Sequence, residues 1–256
     1  MRSLSPVLLG ACLAVASTSA FARDFAPPSV TAALADPRRD DEARNLDESR
    51  KPAEILAFLG LEPGMQAADI MTGQGYWAQI MSDMLGAKGK VTALDPSEFH
   101  MGPQSEELWA RLPEKWPAIT WSSYPFTSFS PAPDSFDFSI INLSYHDLYW
   151  ESEKYHLSRI EPADFVKALY AATRPGGIVG VIDHVGLPGD TRATVDKLHR
   201  IDPEVVKRDF LAAGFTLEAS SDMLANPEDD HTKLVFDPAI RFKTDRFVFR
   251  FRKPAA

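Results

Sequence analysis

Five short stretches of this sequence hold residue types from which a reaction could be assembled. "DIMTGQG" (69–75) places Asp69 before Met71, Gly73 and Gly75, and "LDP" puts Asp95 ahead of a proline. "NLSYHDLYW" (142–150) gathers Asn142, Tyr145, His146 and Asp147, while "IDHVG" adds Asp183 and His184 and "KLHRID" adds His199 and Arg200. A strand-end acid followed by glycines can cradle a nucleotide-like ligand, because no side chain blocks the approach of backbone N–H groups. The same residues would equally make a structural tight turn. Asp95 could accept hydrogen bonds from ribose hydroxyls across the same crevice, or could simply form an Asx-Pro turn.

The second group suggests proton transfer. Histidine is the natural base near neutral pH, so His146 is the leading catalytic candidate, with Asp147 as its orienter and Tyr145 and His184 as further candidates. The alternative is that His146 caps a strand and Tyr145 packs beneath it. Arg200 is expected either at a substrate carboxylate or in an ordinary ion pair. His146, Asp147, Asp183, His184 and His199 could meet at one edge of a sheet, but their spacing matches no tight ligand pattern. No metal is expected on that ground.

Such residues need elements to position them. "PAEILAFLG" reads as a helix with a first-turn proline, "MQAADIM" as a strand and "GYWAQIMSDMLG" as a helix. "VTALDP", "AITWSSY", "FDFSIIN" and "IVGVIDHVG" read as strands, and "SEELWARLPEKW", "EPADFVKALYAATRPGG" and "DPEVVKRDFLAAGF" as helices. "TLEASSDML" and "RFVFRFRKP" are late strands with no helix between them. Strand and helix therefore alternate from residue 65 to 215, which predicts an α/β fold. Its sheet would be mostly parallel, with helices on both faces and an antiparallel C-terminal edge. In "RFVFRF", Phe247, Phe249 and Phe251 should point inward, and Arg246, Arg250 and Arg252 outward.

Over roughly residues 44–254 the chain resembles the class I S-adenosylmethionine-dependent methyltransferases, and within them a bacterial group of exported predicted methyltransferases. The resemblance rests on "DIMTGQG", where Asp69 takes the acidic place and Gly73 and Gly75 the second and third glycines, and on Asp95 at the next strand end. It implies a Rossmann-like methyltransferase fold and S-adenosylmethionine as cofactor, held by Asp69, Met71, Gly73, Gly75, Asp95 and Asn142. It also implies methyl transfer to a small-molecule oxygen or nitrogen. Met71 departs from the pattern, standing where the first glycine belongs. Ser123-Tyr124 falls near the usual adenine position, without the usual acidic residue. The competing functions are an exported binding protein, or an enzyme of different chemistry using His146 or His184 as base on the same scaffold.

Composition narrows the partners. The chain has 256 residues, 45% hydrophobic and 25% charged, with a formal net charge of -9. That is enough apolar material for one sizeable core, and the acidic balance argues against nucleic acid as a partner. Tyr76, Trp77, Tyr145, Tyr149 and Trp150 would line a pocket suited to a small aromatic substrate, or serve only as core. Oligomeric state stays open. Arg2, the apolar run 7–16 and Ala20-Phe21-Ala22 read as a signal peptide over residues 1–22. A flexible arm is expected over 23–43 and the methyltransferase-like domain over 44–256. The expected location is periplasmic or secreted, with no stable membrane insertion of the mature chain; lipid anchoring through Cys12, the single cysteine, is the weaker alternative.

Overall fold

The computed structural model describes residues 30–255. The leader expected over 1–22, with Cys12, and the first part of the arm lie outside the described residues. Residues 30–43, assigned by composition to a flexible arm, carry helix α1 (Val30–Leu34) and lead into α2 (Asp41–Asn45). Ala33 is buried in the core. The Arg39 guanidinium is buried against the Asp47 carboxylate at 2.6 and 2.8 Å, and Arg38 joins Asp36 to Asp83 while lying over the Trp116 ring. The segment is held by ion pairs, which a hydropathy pattern does not register.

After α3 (Asp47–Arg50), α4 (Pro52–Leu59) begins on its proline and ends at Gly60, whose φ of 79° terminates the helix. Ile55, Leu56 and Leu59 are fully buried, each contributing about 1.5–3 kcal/mol. The chain continues through β1 (Gln66–Ile70), α5 (Tyr76–Met84), β2 (Lys90–Pro96), α6 (Pro103–Lys115) and β3 (Ile119–Tyr124). Next come β4 (Phe136–Asn142), α7 (Pro162–Ala172), β5 (Thr173–His184), α8 (Thr191–Leu198), α9 (Pro203–Ala213), β6 (Thr216–Ser221) and β7 (Arg246–Arg252). Thr173–Gly177, expected to close a helix, already belongs to β5. Helix α8 had no forecast, because only Val195 of its residues is buried and no apolar stripe marks it.

The seven strands form one sheet in the order β3-β2-β1-β4-β5-β7-β6. β3, β2, β1, β4 and β5 run parallel, and β7 pairs antiparallel with both β5 and β6. Ala68, Ile70 and Val181 feed the core on one face of the sheet, with Phe165 and Phe210 of α7 and α9. Ala67, Ile140 and Ile182 feed the other, with Leu56 of α4 and Ile80 of α5. Strand β7 has a neighbour on each side and helices over both faces. Phe247, Phe249 and Phe251 point into one core as expected, but Val248 enters the other. Arg246 is only 7% exposed, so it does not face outward; it donates to the Ser49 carbonyl (2.7 Å). Arg250 likewise caps α4 at Phe58 O (3.0 Å). Strand order reverses between β1 and β4, which opens a crevice at their carboxyl ends. Among the described residues, no helix is long and apolar enough to cross a membrane.

Candidate functional site

The crevice is a cavity of about 1000 Å³ whose walls include Arg50, Asp69, Met71, Gly73, Tyr76, Trp77, Asp95, His100, Trp109, Asn142 and Asp147. Its floor is the turn after β1. Met71, Gly73 and Gly75 all take left-handed φ values, of 55°, 55° and 79°. The two glycines do different jobs. A Cβ on Gly73 would meet nothing within 4 Å, whereas one on Gly75 would lie 2.4 Å from the Trp121 side chain. Gly75 therefore makes room for an indole of the protein and does not line the cavity. Gly73 does line it, and its N–H donates to Asp95 Oδ1 (3.0 Å). Met71 is 7% exposed and packs with the core cluster containing Leu94, so the cavity stands open with this side chain in place.

Asp69 is buried, and its Oδ2 accepts from Thr72 Oγ1 (2.5 Å) and from the Ala78 N–H of α5 (2.9 Å). Burial pushes its carboxyl up to about 7, against the pull of those two donors. Asp95 is fully buried and is also raised by burial, opposed by His100 and the Gly73 N–H. Its Oδ2 is 3.0 Å from His100 Nε2 but off the hydrogen-bond direction, so that oxygen has no hydrogen-bond partner among the described residues. His100, on a 3₁₀ turn (Ser97–His100) after β2, stacks on Trp109 of α6 with centroids 3.9 Å apart. Sequence reading missed this wall and placed the equivalent function at Ser123-Tyr124. Neither residue lines the cavity, and Tyr124 packs on Phe129. Arg50 was missed too. Its guanidinium lies over the Tyr76 ring at 4.3 Å, makes no hydrogen bond to a protein group among the described residues, and has its pKa lowered by burial.

The second group follows β4 on a 3₁₀ turn, Tyr145–Tyr149. Residues three apart eclipse on such a turn, so Tyr145 and Leu148 both point into the core and are fully buried. Of the two roles open to Tyr145 the structure takes packing: its hydroxyl donates to Asp209 of α9 (2.9 Å), as does that of Tyr149. Trp150 packs on His199. Of the five aromatics expected around the pocket, only Tyr76 and Trp77 line it.

His146 is buried beside, not in, the cavity wall. Asp183, at the end of β5, takes His146 Nδ1 on Oδ1 (2.9 Å), His146 N–H on Oδ2 (2.9 Å) and His184 N–H on Oδ1 (2.7 Å). The orienter of His146 is therefore Asp183, while Asp147 Oδ1 lies 3.4 Å from His146 Nε2 on the cavity side. Burial alone would lower the His146 pKa, but Asp183 and Asp147 overcome it and raise it to about 9. Burial would likewise raise Asp183, and the His146 charge and hydrogen bonds hold it below the usual carboxylate range. His184 points away to Thr244 Oγ1 (2.7 Å), and burial drives it down to about 3, so it stays neutral. Asn142 and Asp147 line the cavity; Tyr145, His146 and His184 do not. Arg200 is fully buried in an ion pair with Asp229 (2.9 Å) and fastens the long β6–β7 connection, where His231 pairs with Asp245.

Comparison with known proteins bears on the same region. A family model described as protein-L-isoaspartate(D-aspartate) O-methyltransferase (PCMT) matches residues 46–105, the segment from α3 to the start of α6 that carries the glycine turn, Asp95 and His100. A search of curated proteins found no match. Among solved structures, the chain is similar to a SAM-dependent methyltransferase from Aquifex aeolicus, at 20% identity and a TM-score of 0.56, covering 90% of this chain and 99% of that one. It is similar to an S-adenosylmethionine-dependent methyltransferase from Mesorhizobium loti, at 16% identity and 0.56, covering 81% and 99%. A third is the 1,6-didemethyltoxoflavin-N1-methyltransferase of Burkholderia thailandensis, solved with 1,6-didemethyltoxoflavin and S-adenosylhomocysteine bound (18% identity, 0.51, covering 84% and 80%). The chain thus has the Rossmann-like α/β fold of S-adenosylmethionine-dependent methyltransferases, with a mostly parallel sheet and an antiparallel edge.

Proposed function

We propose that the protein binds S-adenosylmethionine in the β1–β4 crevice and transfers its methyl group to an oxygen or nitrogen of a small molecule. The observation that carries this reading is Asp95, a fully buried carboxylate in the cavity wall with one oxygen fixed by Gly73 N–H and the other 3.0 Å from His100 Nε2 but without an aligned hydrogen bond. A buried acceptor left unmade costs about 1–3 kcal/mol, and a ribose hydroxyl is the donor that would satisfy it. Arg50, a cation in the same wall with no carboxylate hydrogen-bonded to it, would hold the donor's carboxylate. The His100–Trp109 stack offers a flat surface for adenine. Met71, folded into the core, leaves the donor's room intact.

The donor supplies an already activated methyl on a sulfonium, so the chain need only align an acceptor and shield it from water. A volume of about 1000 Å³ lies at the upper end of ligand pockets and accommodates donor and acceptor together. Tyr76 and Trp77 give part of that volume an aromatic lining, which favours a flat apolar acceptor. Asn142 and Asp147 stand at the β4 end, where they would orient the acceptor's polar group. The Burkholderia protein, with a heterocycle and S-adenosylhomocysteine bound together on the same fold, supports two small molecules in one crevice. The test is calorimetry of the purified chain with S-adenosylmethionine and S-adenosylhomocysteine. Stoichiometric binding of both is expected; binding of neither at millimolar concentration would overturn the reading.

A further inference from the structure

We propose that His146, Asp147 and His199 form a binding site for a divalent first-row transition ion of the zinc or ferrous class, with Asp183 as the buried carboxylate that orients His146. One nitrogen from each histidine and one Asp147 oxygen lie within 4.8 Å of one another. Asp147 Oδ1 is 3.4 Å from His146 Nε2 and 3.8 Å from His199 Nδ1. These are not hydrogen-bond distances, and among the described residues no hydrogen bond joins any two of the three. Atoms 2.0–2.2 Å from a tetrahedral ion stand about 3.3–3.6 Å apart, so the Asp147–His146 pair is already at ligand spacing and His199 has to close by a few tenths of an ångström.

The surroundings match what such a site requires. A metal-binding histidine gives its other ring nitrogen to a carboxylate, which fixes the tautomer and aims the free lone pair. Asp183 does this for His146: its two oxygens take the imidazole Nδ1 and two backbone N–H groups, in a site with no exposure. His199 reaches the cluster from the C-terminal end of α8 with a φ of 50°, a left-handed conformation usually left to glycine or asparagine there. Backbone strain of this sort persists where the surrounding structure holds the side chain to a task. Trp150 packs edge-on against the His199 ring and Phe236 flanks it, an apolar shell around the imidazole. Two imidazoles and one carboxylate suit zinc or ferrous iron over magnesium or calcium, which prefer all-oxygen sets. Three protein ligands leave coordination positions open, as in catalytic rather than structural sites. Asp147 also lines the large cavity, so the site borders it and would place a Lewis acid at its edge. No linear spacing announces it, because His199 comes from another segment of the chain.

The test is titration of the chelator-treated full chain with Co²⁺, read by the visible d–d absorption of the bound ion. One ion per chain is expected, displaced by Zn²⁺ and not by Mg²⁺. His199→Ala, at the C-terminal end of α8, and Asp147→Asn should each weaken binding by more than about tenfold. His231→Ala, in the separate His231–Asp245 pair, should leave it unchanged. Absence of binding by the folded wild type, or affinity unaltered in both site variants, would overturn the proposal. So would displacement by Mg²⁺ as readily as by Zn²⁺. The readout needs no methyl donor, so failure here and failure of the methyltransferase reading are separate results.

Discussion

Asp95 and Asp183 both end strands of one sheet, both are fully buried, and they are finished differently. Asp183 has three donors on its two oxygens, one of them the His146 imidazole. Asp95 has one backbone donor and, in a cavity wall, a second oxygen whose neighbour, His100 Nε2 at 3.0 Å, is out of hydrogen-bond alignment. The first carboxylate is complete within the protein and serves to hold other groups in place. The second is incomplete until something enters. A saturated buried carboxylate should therefore register in folding stability, and an unsaturated one in ligand affinity.

That contrast orders the tests. Asp183→Asn should have the largest effect, because it leaves His146 without its fully buried counter-charge. Breaking such a pair costs about 3–5 kcal/mol, and Tm should drop by roughly 10 °C in thermal unfolding. Asp69 lies between the two cases, buried with two donors. Its carboxyl sits at about 7 in the folded chain against 3.8 for an unperturbed group, so folding retains a proton. That contribution is fully present below about pH 3.8 and is lost as pH rises through about 7. Asp69→Asn cannot ionise. From about pH 4 to about pH 8, urea unfolding should show the variant gaining on wild type by about 2–4 kcal/mol.

Asp95→Ala should lower Tm by less than Asp183→Asn, through the loss of the Gly73 N–H acceptor, and weaken S-adenosylmethionine binding by about tenfold or more, from the loss of about 1.5–3 kcal/mol of charged hydrogen bonding. Equal affinity in wild type and variant, by calorimetry, would remove Asp95 from the binding wall. Met71→Gly should have the smallest effect. It relieves a left-handed φ, worth about 1–2 kcal/mol, but deletes a buried side chain worth more than that. A net loss of about 1 kcal/mol with donor affinity retained is expected from parallel melting and calorimetry.

The fold was legible because strand and helix periods alternate over most of the stretch from Gln66 to Ala213, and the turn after β1 because glycines and a strand-end acid are local signals. Arg246 was misplaced because its period-2 pattern assumes one wet face, and β7 has none. The His100–Trp109 wall and Arg50 lie outside the glycine motif and lack any pattern of their own. His146, Asp183 and His199 were each noticed as residues, but their partners depend on the β4–β5 register and on where α8 ends. An ion pair was one of the two roles open to Arg200, but its partner Asp229 was not legible, and the Arg39 pair was missed altogether: a buried charge reads as surface until its counter-charge is located in space.

The interior position of β7 sets a condition on biosynthesis. Among the described residues, the strand between β5 and β6 comes last in the sequence. At about 5–20 residues per second, the nascent chain carries β5 and β6 for seconds before residues 246–252 exist to pair with them. Throughout that interval the apolar run Ile178–Ile182 presents an open edge, the kind of template on which strands from other chains aggregate. Truncation before Arg246 would make that state permanent, leaving two unpaired edges and the Phe247, Phe249 and Phe251 positions of the core empty. Such a product should accumulate as insoluble material however completely its cofactor turn and histidine cluster are encoded.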